Sequence, residues 1–253
     1  MSVDARIQQS VVANLSGRPA PIHSGPFVLG IDPGTDSPGI NYATPIPGVP
    51  ISQSDVDAMV KAFQSQNRKP RLEYVVSTAP ALEGFLLAAG FTVEERHEYL
   101  VCTVETRTVP PTPEGFTLRV PATDTERAAM IAAQHEAFGA GVVQAPPADI
   151  ARMARLQANG GIAVMAVASD GACAGGGQAV PPNNGVSEVA GIAVPPRYRR
   201  QGLAAAFTAD ITARLFQAGA DLAWLEASGP DSWRIYERIG YRPTGKRLYI
   251  ALD

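Results

Sequence analysis

The segment Val194-Pro195-Pro196-Arg197-Tyr198-Arg199-Arg200-Gln201-Gly202-Leu203-Ala204 leads from an apolar run at 187–194 into a helix-forming stretch at 201–217. A turn of this composition suits a phosphate. Gly202 lets the backbone approach a ligand, Ala204 leaves the helix start unobstructed, and the first-turn amides have no preceding carbonyl to bond. Arg199 and Arg200 add positive charge beside the positive end of the helix dipole, so a pyrophosphate is the natural guest. The alternative is an ordinary strand-to-helix turn with solvated arginines. No Gly-Lys-Ser/Thr follows, which argues against a P-loop, and no Gly-x-Gly-x-x-Gly opens the helix, which argues against a dinucleotide fingerprint.

Outward from this turn the elements alternate cleanly. Residues 116–120 read as a strand. Thr123 with Glu126 three positions on is a capping box opening a helix to about Phe138. A second helix covers 146–159 and stops at Gly160-Gly161. Three short apolar segments, 162–168, 172–180 and 187–194, are separated by Ser169-Asp170-Gly171 and by Pro181-Pro182-Asn183-Asn184-Gly185. Those separators are hairpin chemistry, so an antiparallel meander is expected. The helix at 201–217, a strand at 222–227, a helix at 230–239 ending at Gly240 and a strand at 246–252 complete the order β-α-α-β-β-β-α-β-α-β.

Upstream, Val109-Pro110-Pro111-Thr112-Pro113 follows a charged strand-like run at 94–107 and reads as a semi-rigid connector. The predicted division is 1–108, a linker at 109–115, and 116–253. Sliding the chain on itself by 150 residues lays Leu72–Pro80 over Leu222–Pro230, Ala89-Gly90-Phe91 over Ile239-Gly240-Tyr241, and Tyr99 over Tyr249. The helix at 54–66 falls over 203–215. The chain therefore reads as two copies of one unit, the first truncated.

Composition narrows the function classes. The chain has 253 residues, 45% hydrophobic and 18% charged, with a net charge of −3, which does not suggest a nucleic-acid or membrane-surface partner. No apolar run reaches the roughly 18 residues of a membrane span, and the first residues lack a secretory pattern. A cytoplasmic location is expected. Cys102 and Cys173 are read as buried free thiols.

Arg199-x-x-Gly202-x-Ala204 after a strand ending in Val194 resembles the acetyl-CoA signature (Arg or Gln, x, x, Gly, x, Gly or Ala) of the GNAT N-acetyltransferases. Ile235-Tyr236-Glu237-Arg238-Ile239-Gly240-Tyr241 is similar to the family's Leu-Tyr-x-x-x-Gly-Phe segment. The element order from 116 to 253 also matches, so the resemblance covers that half throughout. It implies an α/β (α+β) fold with a mixed sheet, here in tandem with a degenerate N-terminal copy.

The family's roles fall on particular residues. The strand at 188–194 would splay from that at 222–227 and leave a wedge for the pantetheine arm of acetyl-CoA. Backbone groups of Ile192, Ala193 and Val194 would meet that arm, and Arg199, Arg200, Gln201, Gly202, Leu203 and Ala204 would hold the pyrophosphate. Tyr236 falls on the frequent general acid, which protonates the departing thiolate; its alternative is a core aromatic bonded to the backbone. Glu188 falls where some members carry a general base, and its alternative is plain exposure. Ser228 stands near the family's usual Asn, and Trp233 is core or a wall of the acceptor pocket.

Under the same 150-residue shift Val49, Ser52, Ser54 and Leu86 replace Arg199, Gly202, Ala204 and Tyr236. The first copy should then neither hold acetyl-CoA nor catalyse. The resemblance thus implies an acetyl-CoA-dependent N-acetyltransferase acting on a small-molecule primary amine in a ternary complex, without a metal, and as a monomer in preference to a homodimer. The alternatives are a non-catalytic acyl-CoA-binding or regulatory module and a mycothiol-synthase-like small-thiol acetyltransferase. Asp32 and Asp36 lack the distal Glu of a calcium loop, and His135-Glu136 lacks the second His of a zinc helix, although either side chain could line the acceptor side.

Overall fold

The computed structural model describes residues 1–141, 144–227 and 230–253, with backbone alone at 230–232. It divides into two compact units, one of Met1–Tyr99 with Thr244–Asp253, the other of Leu100–Pro243.

The first unit opens with α1 (Val3–Ser16), capped by Ser2, whose Oγ accepts from the Ala5 amide at 3.2 Å. Its buried face, Ile7, Val11, Val12 and Leu15, follows helical spacing. Strands β1 (Ile22–Ser24), β2 (Phe27–Gly30) and β3 (Tyr42–Pro45) pair antiparallel in sequence. After α2 (Gln53–Ser65), β4 (Arg71–Val75) joins β3 in parallel through the single pair Ala43↔Leu72. Helix α3 (Leu82–Ala88) and the start of β5 (Thr92–Thr103) follow. Phe27, Leu29, Met59, Phe63, Leu72 and Tyr74 form the core.

Next to the single β3–β4 pair the gap is filled from α1. The buried Gln8 amide donates to Thr44 Oγ1 at 2.7 Å and to the Pro45 carbonyl at 2.8 Å. Its oxygen accepts from the Val75 amide at 2.9 Å.

The second unit holds β6 (Phe116–Arg119), α4 (Asp124–Ala137), α5 (Pro147–Ala158), β7 (Ile162–Ala168), β8 (Cys173–Ala179), β9 (Val186–Ala193), α6 (Leu203–Gln217), β10 (Leu222–Glu226) and α7 (Pro230–Glu237). The capping box at Thr123 and Glu126 forms as read. The four strands from β6 to β9 pair antiparallel, and β9 pairs with β10 in parallel. Alternate residues of β7 enter opposite cores: Val164 and Ala166 pack with α6, Ala163 and Met165 with α4 and α5. Helices therefore cover both faces of a mixed sheet, as expected. On α6, Leu203, Phe207, Ile211 and Leu215 recur every fourth residue as one buried stripe.

The last strand, β11 (Arg242–Ala251), begins in the second unit and ends in the first, where it lies antiparallel to β4 with Leu248 opposite Tyr74. The chain likewise passes between units within β5, so the proline-rich run at 109–115 belongs to the second unit. Pairing along a sheet requires matching edges and is indifferent to which end of the chain supplies them. The boundaries of α2, β4, α3 and β5 stand 150 residues before those of α6, β10, α7 and β11 to within two residues. Both cysteines are free thiols; Cys102 is buried, whereas Cys173, at the start of β8, is partly exposed.

Candidate active site

Strands β9 and β10 are registered over three pairs only, Val186↔Leu222, Ser187↔Ala223 and Glu188↔Trp224. Beyond Glu188, β9 continues to Ala193 with β8 as its registered partner. Its register against β8 also breaks: Gln178 faces Ala190 and Gly176 faces Ala193, so Gly191 and Ile192 stand opposite Gly177 alone. This is a β-bulge, which bends the strand and leaves backbone outside the ladder. Gly177 permits the approach, because a Cβ there would sit 2.3 Å from Ile192 Cδ1.

After β9 the chain makes a short 3-10 turn, Pro196–Tyr198, and then two left-handed residues, Arg200 at φ +62° and Gly202 at φ +83°. Those conformations consume Gln201, so α6 starts at Leu203 rather than at 201. Among the described residues, no backbone or side-chain group accepts from the amides of Arg200, Gly202, Leu203, Ala204 or Ala205; the first helical bond runs from the Ala206 amide to the Gly202 carbonyl at 3.1 Å. A row of unpaired donors at a helix start is an anion site in waiting.

The two arginines of the turn differ. Arg199 Nε donates to the Val194 carbonyl at 3.1 Å and its Nη2 to the Ala137 carbonyl at 3.0 Å, so its guanidinium ties the turn to the end of α4. The Arg200 side chain is exposed. Arg197 pairs with Glu136 and lies over the Tyr198 ring, 4.9 Å from its centroid.

Tyr236 on α7 is buried, with its ring edge against Tyr241 at 6.3 Å between centroids. Burial pushes its hydroxyl up to about 12. The Tyr241 hydroxyl is bonded to Thr212 Oγ1 at 2.7 Å. The Tyr236 carbonyl accepts from the amides of Ile239 and Tyr241 and closes the helix. Glu188 is half-buried at the last paired position of β9, and its carbonyl accepts from the Val180 amide at 2.9 Å. Trp233 packs against the same core as Tyr236, and among the described residues its indole N–H has no acceptor. Ser228 lies outside the described residues. His135 Nε2 is 3.4 Å from Asp149 Oδ2, which links α4 to α5. Among the described residues no cluster of three His, Cys, Asp or Glu could hold a metal ion.

Two buried amides escaped the sequence reading, Gln8 and Gln134. Each is a polar residue on the apolar stripe of its helix, beside Ile7 and Val11 or beside Met130 and Ile131. That mismatch was the available signal.

Residues 128–241 match the model of the acetyltransferase (GNAT) family. Among solved structures, a GCN5-related N-acetyltransferase from Kribbella flavida is 28% identical over 100% of this chain and 96% of its own, with a TM-score of 0.82. A GCN5-related N-acetyltransferase from Sphaerobacter thermophilus is 16% identical, with a TM-score of 0.62 over 90% of this chain and 80% of its own. A tandem GNAT protein from the clavulanic acid biosynthesis pathway is 14% identical, with a TM-score of 0.62 over 98% and 94%. No curated protein matches the chain. The family match lies within the second half of the chain, and the likeness to the Kribbella structure extends over its whole length.

Proposed function

We propose that this GNAT-type chain is an N-acetyltransferase that moves the acetyl group of acetyl-CoA to a small primary amine. The observation that carries the reading is the opened β9–β10 pair leading directly into the unpaired amides at the start of α6. An extended amide-bearing arm followed by a pyrophosphate fits that sequence of a strand wedge and an anion site. Ile192, Ala193 and Val194 would bond the arm through their backbone, and Arg200 to Ala204 would bond the pyrophosphate. Arg199 contributes by holding the turn, with its charge nearby.

Acetyl-CoA supplies the acyl group and a thiolate leaving group. The N–C bond forms as the C–S bond breaks, one proton leaves the amine nitrogen, and one reaches the sulfur. Glu188 is assigned to the first, directly or through water. Tyr236 is assigned to the second. Held at about 12, its phenol is neutral at physiological pH. An ordinary thiol titrates near 8.5, so the phenol is the weaker acid. It therefore donates a hydrogen bond to the sulfur, and passes a proton only as another replaces it.

The catalytic domain in this reading is 116–253. The N-terminal copy is degenerate, which the 150-residue element spacing and the missing arginine, glycine and tyrosine support. Its counterpart of the wedge, between β3 and β4, is occupied by Gln8. The test is release of CoA thiol from acetyl-CoA with a panel of primary amines, with the acetylated product identified by mass. Turnover of any amine supports the reading. Binding of CoA without turnover of any amine, at any pH between 6 and 10, would favour a regulatory module.

A further inference from the structure

The structure assigns a second amide to this machinery: we propose that Gln134 is a positioning residue for acyl transfer, holding the β9 bulge in the shape the thioester needs. The proposal rests on the reading of the β9–β10 wedge given above. Gln134 sits on the last turn of α4 and is 8% exposed. Its Nε2 donates to the Gly191 carbonyl at 2.7 Å and to Gln178 Oε1 at 3.0 Å. Both amide protons are thereby used, one on the bulge itself and one on β8.

Gly191 leaves no slack in this contact. Its φ is +63°, and a Cβ there would lie 2.8 Å from Gln134 Nε2 and 3.0 Å from Gln178 Oε1. The bulge comes three residues after Glu188, the last β9 residue registered with β10, so it lies in the part of β9 that the reading turns toward the acyl donor. Backbone outside a ladder is soft unless something else fixes it. Here a buried side chain does so. Two further ties join the same helix end to the following turn, Ala137 to Arg199 and Glu136 to Arg197.

A strand segment that positions a reacting group must be held closely, because a misplacement of about 1 Å costs on the order of a hundredfold in rate. Gln134 is bonded to the bulge and to β8, and among the described residues no hydrogen bond joins it to residues 200–204. Its loss should therefore act on turnover and leave donor binding in place.

The experiment compares wild type with Gln134→Leu and Gln134→Glu in the full chain. Gln134→Leu removes both donations. Gln134→Glu keeps the shape but sets an acceptor against the Gly191 carbonyl. Three quantities are measured: acetyl-CoA affinity by titration, kcat with the best amine, and amide hydrogen exchange across β8 and β9 in the free protein. The expected result is loss of protection at residues 190–193 with β7 unchanged, near-wild-type affinity, and a kcat lower by roughly ten- to a hundredfold. Unchanged exchange at the bulge would overturn the proposal, as would loosened exchange with unchanged kcat. A fall in kcat that only follows lost affinity would overturn it too. Wild type that fails to bind acetyl-CoA would instead overturn the underlying reading, and is recognised without any variant.

Discussion

Tyr236 carries two separable consequences. Among the described residues no protein group meets its hydroxyl, so Tyr236→Phe should leave stability at neutral pH within about 0.5 kcal/mol and lower kcat by roughly 10²–10⁴-fold; chemical denaturation and thiol release measure the two. Its buried phenol also shapes alkaline stability. The unfolded side chain ionises at 10 and the folded one at about 12. The folded state thus holds the proton more tightly, and its advantage is complete below pH 10 and lost as pH rises toward 12. Between pH 9 and pH 11.5 this amounts to about 2 kcal/mol of lost stability, which Tyr236→Phe should remove from the difference seen in denaturation at those two pH values. Burial also raises Tyr74, Tyr99 and Tyr241, so part of the alkaline loss should persist. Equal alkaline losses in wild type and variant would contradict the assignment. The two arginines of the turn give a parallel contrast. Arg199→Ala should lower Tm, because two carbonyls lose a charged donor, while Arg200→Ala should weaken acetyl-CoA binding with Tm unchanged.

At the scale of elements, the wedge of the first unit is closed by a helix. Gln8 supplies both a donor and an acceptor where β3 and β4 share one pair, so Gln8→Leu should leave the Pro45 carbonyl and the Val75 amide without their partner. The expected cost is about 2–4 kcal/mol by urea denaturation. A loss below about 0.5 kcal/mol would mean that other groups can take those bonds. The sequence reading marked the stretch of β4 and the helix at 54–66, but neither β3, nor α1, nor the glutamine that fills the gap. Turn residues and apolar periodicity marked β7, β8 and β9, and the Thr123–Glu126 box marked the start of α4, because these are local signals. The start of α6 was placed two residues early, since left-handed Arg200 is not a preference that an arginine advertises. Gln134 and Gln8 were missed for a different reason. Each looks like an interruption of an apolar stripe until the strand it reaches, dozens of residues away, is in place. The turn at Gly202 and the place of Tyr236 on the last helix were legible because both lie in short contiguous segments.

For the whole molecule, the closing strand is the feature that linear reading could least supply. The 150-residue spacing of elements was visible, yet it gave no sign that β11 ends in the first unit, beside β4. Strand partners are chosen by edges in space, and one repeat predicts the same neighbours for either copy. Truncation after Pro243 would remove Leu248 and Ile250 from the first unit's core and Arg247 from Glu73. Two buried aliphatic side chains are worth about 3–6 kcal/mol, comparable to the stability of a whole domain. The truncated chain should therefore lose protease resistance across 1–99, and resistance equal to the full chain would contradict the pairing. The central claim, an acyl-CoA site at the wedge and the α6 start, is tested most directly by thermal unfolding with and without acetyl-CoA. Ligand at a hundredfold excess over its Kd should stabilise wild type by about 2.7 kcal/mol, with the shift abolished in Gly202→Trp that remains folded. No shift in wild type at millimolar acetyl-CoA, or an equal shift in Gly202→Trp, would contradict it.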